Sequence, residues 1–315
     1  MRIHELDYDL PPELVAQHPT ERRDESRLLV FDRGSGEVRH RVFAELPEEL
    51  RAGTLTVVND TRVVPARIRL ERPRGEVLLL ERVGEGTWEA LARPTQRLRA
   101  GRRYGPVELV EHLGEGRWLV RLEGGPGGVG EWGETPLPPY ITEPLADPGR
   151  YQTVYAREPG SAAAPTAGLH FTPALLDRLD VERVTLHVGL DTFRPLAVDD
   201  LSDHELHGER YEVAPAAWER IAAAERVLAV GTTTVRVLET AASNRVLRGR
   251  TRLFVTPGFA FRRVDHLLTN FHLPRSTLLA LVMAFAGVEE TRRLYRLAVE
   301  ERYRFYSFGD AMLVL

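Results

Sequence analysis

Three histidines stand in short loops next to helices or strands, where an imidazole can exchange protons. His170 lies in the small-residue loop Pro165–Phe171 before a predicted helix, and His187 ends a predicted strand. His272 lies in a polar turn that enters an apolar helix. Imidazole titrates near neutral pH, so each is a candidate general acid or base, although a single histidine is more often structural.

Polar groups that suit an anion or a sugar follow two further predicted strands. Asp60 and Arg62 come directly after the buried strand Thr54–Val58, where they form either a ligand site or a simple ion pair. Thr232 and Thr233 open a predicted helix, and hydroxyl and backbone N–H groups there either hold a carboxylate, phosphate or ribose or cap the helix. Ligands collect at the carboxyl ends of strands in α/β sheets, so both positions are candidate binding sites.

The composition excludes several kinds of chemistry. The chain has 315 residues, contains no Cys, and has no Lys, so all 42 basic residues are Arg. Disulfides, thiolate metal sites, cysteine nucleophiles, Schiff-base lysines and the P-loop lysine are therefore excluded. Arg stays protonated in proteins, which leaves proton transfer to Asp, Glu, Tyr, His, water or the substrates.

Two motifs that look like cofactor or metal sites lack the necessary surroundings. The segment 125–130 fits the G-x-G-x-x-G pattern, but a loop follows where a dinucleotide-binding helix would begin. The segment 203–207 spaces two histidines as a helix would, but no third ligand stands near them. We therefore expect neither a dinucleotide nor a bound metal.

Charge is distributed unevenly along the chain. The net charge is −4, which argues against coating nucleic acid by bulk attraction. Two stretches, 93–103 and 241–263, nevertheless carry many arginines and no acid. They are either solvated surface or local contacts for a phosphate backbone. We predict RNA contacts for five of their members, Arg97, Arg99, Arg102, Arg248 and Arg250.

The elements that must position these residues predict an α/β protein with a β insertion. A strand, Gly-Glu-Gly turn and strand recur at 77–88 and 107–118 with seven of twelve positions identical. Few helix signals stand between 66 and 140, and 124–139 reads as a linker. We expect a discontinuous mixed α/β main domain, 1–65 and 141–315, and an inserted small all-β, barrel-like domain, 66–140.

Helix and strand signals flank the β insertion on its carboxyl side. We expect strands over 183–188 and 227–230, because both are short runs rich in apolar and β-branched residues. Proline at a first helical position and Ser or Thr as N-cap predict helix starts at three places, which are Pro173, Pro215 and Thr277. A charge-rich amphipathic helix is expected over 289–303.

Six motifs in register along nearly the whole chain resemble one family. They are 59–67 (NDTRVVPAR), 151–161 (YQTVYAREPGS), 165–172 (PTAGLHFT), 186–195 (LHVGLDTFRP), 231–236 (GTTTVR) and 270–279 (NFHLPRSTLL). The sequence resembles the S-adenosylmethionine:tRNA ribosyltransferase-isomerases of queuosine biosynthesis. The resemblance implies transfer and isomerisation of the ribosyl part of S-adenosylmethionine onto 7-aminomethyl-7-deazaguanine at the tRNA wobble position. The products would be epoxyqueuosine, adenine and methionine.

The resemblance also orders the candidate residues. We predict catalytic roles for four side chains, His170 (the leading acid/base), His187, His272 and Asp60. We predict substrate contacts for eight more, Arg62, Glu158, Thr166, Arg194, Thr232, Thr233, Arg236 and Asn270. A sulfonium stabilises a neighbouring carbanion, so no cofactor is expected and S-adenosylmethionine is a consumed co-substrate. The expected partners are that compound and the modified tRNA.

Two other functions stay open. A methyltransferase would share both partners, and a binding module would share the tRNA. An S-adenosylmethionine-dependent RNA methyltransferase would transfer a methyl group without releasing adenine, and the missing glycine-rich Rossmann start counts against it. A non-catalytic tRNA-binding module would need only the arginines and the β insertion. The first residues lack the basic start and apolar stretch of a signal peptide, so we expect a cytoplasmic monomer, without a membrane or an obligate protein partner.

Overall fold

The helices of the chain are short. A computed structural model describes residues 1–125, 127–189, 199–204, 206 and 208–315. Within these ranges the α-helices are Leu46–Glu49 (α1), Gly128–Trp132 (α2), Pro173–Leu176 (α3), Pro215–Ala223 (α4), Thr232–Asn244 (α5), Thr277–Ala286 (α6) and Val288–Glu300 (α7). None of these helices in the described ranges combines the length and apolar character needed to cross a membrane.

The strands are mostly three to eight residues long. In chain order, those of the described residues are Arg27–Phe31 (β1), Val38–Val42 (β2), Thr54–Asn59 (β3), Thr61–Val63 (β4), Arg67–Leu70 (β5), Gly75–Gly84 (β6), Thr87–Arg93 (β7), Arg102–Tyr104 (β8), Val107–Gly114 (β9), Arg117–Leu122 (β10), Glu158–Ser161 (β11), Asp180–Leu186 (β12), Glu209–Glu212 (β13), Arg226–Val230 (β14), Arg248–Thr251 (β15), His266–Asn270 (β16) and Ala311–Val314 (β17). They form three sheets.

The largest sheet joins strands from both ends of the chain. Its order among the described residues is β15-β13-β12-β3-β14-β16-β17-β1-β2. The central strand β3 is parallel to both of its neighbours, β12 and β14. Alternate apolar residues of these strands belong to two hydrophobic clusters, one on each face, and β3 and β14 are accordingly almost uniformly buried. The carboxyl ends of β3, β12 and β14 therefore meet at one edge of a well-packed sheet.

The second sheet is antiparallel and has a hydrophobic cluster of its own. Its order is β5-β6-β7-β10-β9-β8, and its cluster draws on residues 66–129. The predicted strand, turn and strand units are confirmed as the hairpins β6–β7 and β9–β10. The expected barrel-like form is confirmed in part: the sheet curls into a half-barrel but does not close. Within the described residues no ladder joins β5 to β8, and β5 instead forms a bridge from Arg67 to Glu134. The domain boundaries at 65 and 141 stay a prediction.

The segment predicted to be a linker packs onto this second sheet. It contains α2, and Val129 of that helix belongs to the sheet's hydrophobic cluster. Its sequence is rich in Gly and Pro, which hid both features. Pro126, inside the G-x-G-x-x-G pattern, lies outside the described residues.

The predicted helix starts are confirmed, and the caps explain them. The Thr172 hydroxyl accepts from the Leu175 N–H at the start of α3, and the Ser276 hydroxyl accepts from the Leu279 N–H at the start of α6. Between β14 and α5 the chain turns at Gly231, whose φ of 86° favours glycine. This turn brings the start of α5 directly to the end of a central strand.

Candidate active site

Two adjoining cavities lie where the two larger sheets meet. We call the first the main cavity: it measures about 480 Å³, and its lining includes Trp88, His187, Thr232, Phe254 and Leu278. We call the second the charged cavity: it measures about 640 Å³, and its lining includes Asp60, Glu158, Arg183, His187 and Glu212. Four residues line both cavities and form the wall between them, namely Glu81, His187, Arg210 and Arg250. The predicted site residues are therefore divided between two spaces.

The start of α5 faces the main cavity. Thr232 and Thr233 both line it, as predicted. The Thr233 hydroxyl lies 3.3 Å from the Asn59 amide nitrogen, which donates to it, whereas the Thr232 hydroxyl has no hydrogen bond to any described residue. No side chain caps this helix, so its first backbone N–H groups stay available beside the cavity. This arrangement suits a carboxylate or a ribose hydroxyl.

His187 is held firmly in the wall between the cavities. Its Nδ1 lies 2.9 Å from the buried Thr61 hydroxyl, and its backbone N–H donates to the Arg210 carbonyl. A Cβ at Gly160 would lie only 3.0 Å from the imidazole Cε1, so the backbone of β11 packs against the ring. Burial, reinforced by the charge of Arg210, lowers the pKa of His187, which favours the neutral, proton-accepting ring.

Asp60 is a buried carboxylate at the edge of the charged cavity. Its side chain is about 5% exposed, and its Oδ1 accepts from the Thr185 hydroxyl at 2.7 Å. Burial raises the pKa of Asp60, and the nearby Glu158 carboxylate raises it further. Glu158 is exposed and pairs with Thr61 in the β11–β4 ladder. Both carboxylates line the charged cavity and not the main one.

Arg236 lines the main cavity, but its guanidinium is already engaged by the protein. It forms an ion pair with Glu209, and both side chains are about one-tenth exposed. Its Nε donates to the Leu253 carbonyl at 2.9 Å, and its Nη2 to the Thr251 carbonyl at 3.3 Å. The predicted role as a clamp for a ligand is not supported, since these contacts make Arg236 part of the cavity wall.

His170 and Asn270 contact each other in the core, outside both cavities. The two side chains lie 3.4 Å apart, the His170 Nδ1 lies 2.7 Å from the Ser26 hydroxyl, and the ring stacks on Phe43. The Asn270 amide donates to the Tyr306 carbonyl. The expected single cavity shared by His170, Thr232 and Asn270 is therefore not found among the described residues, because the first and third use their polar atoms within the core.

The other candidates lie away from the cavities or outside the described residues. His272 is buried, and its Nε2 lies 2.8 Å from the Thr269 hydroxyl. Arg62 is exposed on β4 and Thr166 is half-buried. Neither lines the main cavity or the charged cavity. Arg194 lies outside the described residues, as do two members of the 203–207 motif, Glu205 and His207.

The five predicted RNA-contacting arginines are all exposed, in two separate places. Arg97, Arg99 and Arg102 lie at and next to the edge strand β8. The other two line the charged cavity, where Arg248 pairs with Glu212 at 3.5 Å and Arg250 pairs with Glu81 of the second sheet. Arg263, also in the second arginine stretch, instead donates to the carbonyls that end α4.

Acid is expected to destabilise the protein through its buried histidines. Burial lowers the pKa of His170 to about 4 and of His272 to about 3, against about 6.5 in the unfolded chain. At pH values between the folded and unfolded pKa of these histidines, the unfolded state binds more protons than the folded state. The free energy of unfolding therefore falls as pH drops from about 6.5 toward 4. His170 alone accounts for about 3 kcal/mol of this loss.

Urea denaturation at pH 6.5, 5.5 and 4.5 checks this prediction. His272→Asn should flatten the dependence on pH, whereas the exposed His18→Gln should leave it unchanged. An equal slope in all three proteins would show that the buried His272 imidazole does not contribute to the loss.

Comparison with known proteins identifies the family of the chain. Residues 3–314 match the family described as "Queuosine biosynthesis protein". The chain belongs to this family. Within the queuosine biosynthesis family it is 54% identical to a protein of Rubrobacter xylanophilus, with 100% of this chain and 98% of the relative covered. It is 51% identical to a protein of Moorella thermoacetica, with 100% of each covered.

Both relatives are named S-adenosylmethionine:tRNA ribosyltransferase-isomerase, so the family is one of enzymes. A solved structure agrees: an S-adenosylmethionine tRNA ribosyltransferase from Thermotoga maritima matches with a TM-score of 0.58 and 37% identity. The match covers 99% of this chain and 100% of that one. The mixed α/β fold is thus the fold of this queuosine family.

Sequence reasoning missed several side chains of the cavity wall in this family member. Trp88 lines the main cavity, and Glu81 and Arg210 separate the two cavities. Trp88 was visible as the last residue of the first repeat, but the repeat gave no sign that one copy faces a cavity. Arg210 lies between Glu209 and Glu212 in the sequence, so it escaped a search for stretches without acids.

Proposed function

We propose that the chain transfers and isomerises the ribosyl moiety of S-adenosylmethionine onto 7-aminomethyl-7-deazaguanine at the tRNA wobble position. The products are epoxyqueuosine in the tRNA, free adenine and methionine. Family membership supports the reaction class. The observation that carries the proposal is the pair of adjoining cavities with His187 in their common wall, because a transferase must bring two substrates together and this imidazole can exchange protons with both.

The main cavity suits the nucleoside substrate. Its lining combines apolar side chains, among them Trp88, Phe254 and Leu278, with the Thr232 hydroxyl at the start of α5. Aromatic and apolar surface suits a purine, and a helix N-terminus suits a carboxylate such as that of methionine. S-adenosylmethionine is consumed there, and because its sulfonium stabilises an adjacent carbanion the reaction needs no cofactor. Because tRNA is the second substrate, we assign the protein to the cytoplasm. We also propose that it is a monomer.

Release of adenine tests this function. The chain, S-adenosylmethionine and tRNA carrying 7-aminomethyl-7-deazaguanine should give free adenine in proportion to the tRNA modified, measured by liquid chromatography. The same tRNA with guanine at the wobble position is the control and should give none. Methyl transfer without adenine would indicate a methyltransferase, and unchanged S-adenosylmethionine would indicate a binding module.

A further inference from the structure

We propose that the charged cavity binds the amine of the RNA substrate as an ammonium ion, through Asp60 and Glu158, and that His187 removes its proton from across the shared wall. The inference rests on the proposed function and extends it, because it assigns the two substrates to different cavities. The nucleoside sulfonium occupies the main cavity, and the amine-bearing base enters from the charged one.

The free carboxylates are on the charged side. Asp60 accepts only a hydroxyl, from Thr185, and neither Asp60 nor Glu158 forms an ion pair with any described residue. A buried carboxylate without a cation is costly, so a cationic ligand is the natural partner for this pair. Arg157 and Arg183 line the same cavity, and their charge partly offsets the rise in the pKa of Asp60 that burial causes, but neither forms an ion pair with either carboxylate. Both carboxylates can therefore accept hydrogen bonds from an ammonium ion.

The main cavity differs in this respect. Four glutamates line its described part, and three of them are paired with arginine: Glu81 with Arg250, Glu89 with Arg117 and Glu209 with Arg236. Their charge is neutralised within the protein. The fourth, Glu115, is exposed and forms no ion pair with a described residue. The charged cavity has two such unpaired carboxylates, one of them the buried Asp60, and this difference assigns the ammonium ion to it.

His187 lies within reach of the same corner. Thr185, which holds Asp60, is two residues before His187, and alternate residues of an extended chain share a face. Thr61 follows Asp60 in the chain, pairs with Glu158 across the ladder and contacts the His187 Nδ1 at 2.9 Å. The backbone around Thr61 and Thr185 thus places the imidazole and the two carboxylates at one corner of the site. In the tautomer whose Nδ1–H donates to the Thr61 hydroxyl, Nε2 carries no proton and is the nitrogen that can accept one.

The proton transfer balances without any further reagent. An N–H bond of the ammonium breaks, the proton goes to the His187 Nε2, and the electron pair stays on the amine nitrogen, which becomes the nucleophile. The imidazolium that forms is flanked by the carboxylates of Glu158, Glu81 and Glu212 and opposed by Arg210. These carboxylates stabilise the imidazolium while the amine reacts.

The test is whether the protein distinguishes an amine-bearing tRNA from one without the amine. Dissociation constants are measured by fluorescence anisotropy for tRNA with 7-aminomethyl-7-deazaguanine and for the same tRNA with guanine. Calorimetry gives the dissociation constant of S-adenosylmethionine. Asp60→Asn should reduce the preference for the amine-bearing tRNA about ten- to hundredfold, the usual size of a hydrogen bond between charged groups, with S-adenosylmethionine binding unchanged.

Two further variants keep the result decisive. Glu158→Gln changes an exposed side chain, so we expect the variant to fold, and it should reduce the same preference even if Asp60→Asn fails to fold. Glu182→Gln is the matched control, because Glu182 lines the same cavity but is paired with Arg220 at 2.7 Å. It should leave the preference intact.

Two outcomes would overturn the assignment. One is weaker S-adenosylmethionine binding with an unchanged tRNA preference, which would place the carboxylates at the sulfonium. The other is no change in either affinity for both Asp60→Asn and Glu158→Gln. Failure of the proposed function itself would appear separately, as absence of adenine release by the unaltered protein.

Discussion

Replacing Arg236 with methionine is expected to lower the free energy of unfolding by about 3 to 5 kcal/mol. The change leaves the Glu209 carboxylate in a site about 10% exposed without its guanidinium, and it removes the donors to the Leu253 and Thr251 carbonyls. Removal of one partner from a buried ion pair is one of the few causes of so large a loss. Urea denaturation monitored by circular dichroism measures it.

Two comparisons identify the cause. Arg236→Met combined with Glu209→Gln should recover part of the loss, because the buried negative charge is removed as well. Arg178→Met breaks an exposed pair with Glu48 and should cost no more than about 1 kcal/mol. Equal losses for Arg236→Met and Arg178→Met would show that burial of the first pair has no energetic consequence.

Replacing His187 with glutamine is expected to slow single-turnover ribosyl transfer by about 10² to 10⁴, the usual value of general acid–base catalysis. Among the predicted histidines described, it is the one that lines both cavities. Glutamine retains a polar side chain but cannot take up a proton. Formation of modified tRNA in rapid-quench experiments measures the rate, and thermal denaturation confirms that the variant is folded.

His170→Gln tests the competing assignment made from the sequence. Because His170 is buried between Ser26, Phe43 and Asn270, we expect less than a tenfold loss of rate in the folded variant. A loss of a hundredfold in His170→Gln, with little change in His187→Gln, would reverse the two roles. Such a result would require the core around His170 to open toward the substrates.

Local sequence signals were sufficient to predict most of the helices and strands that surround the site. The helix beginning at Thr277 was predictable because Ser276 has a hydroxyl that caps it and an apolar run follows. The central strand β3 was predictable because its apolar run ends in a polar cluster. The half-open second sheet was not predictable, because its closure depends on which edge strand the residues after β10 reach, and that is a long-range contact.

The composition of the site was less predictable than its position. A loop rich in small residues suggested an exposed imidazole at position 170, but the loop turns that ring onto Phe43. Arg236 lies in the first turns of α5 after three threonines and resembles a ligand clamp, yet its partner Glu209 lies 27 residues earlier in strand β13. Residue type and spacing indicate which groups carry charge, whereas only the packed chain determines which of those charges are already paired.

The two repeated hairpins each contain a tryptophan, and the two tryptophans lie in different environments. Trp118 of the second hairpin is about 3% exposed and belongs to the cluster under its sheet, whereas Trp88 of the first lies beside that cluster and borders the main cavity. Register places Trp88 opposite Val120 and Trp118 opposite Ala90 on adjacent strands, so the two indoles share a face. The two hairpins are therefore alike in sequence and differ in what their tryptophans contact. Trp118 packs in the core of its sheet, whereas Trp88 is available to a molecule bound in the main cavity.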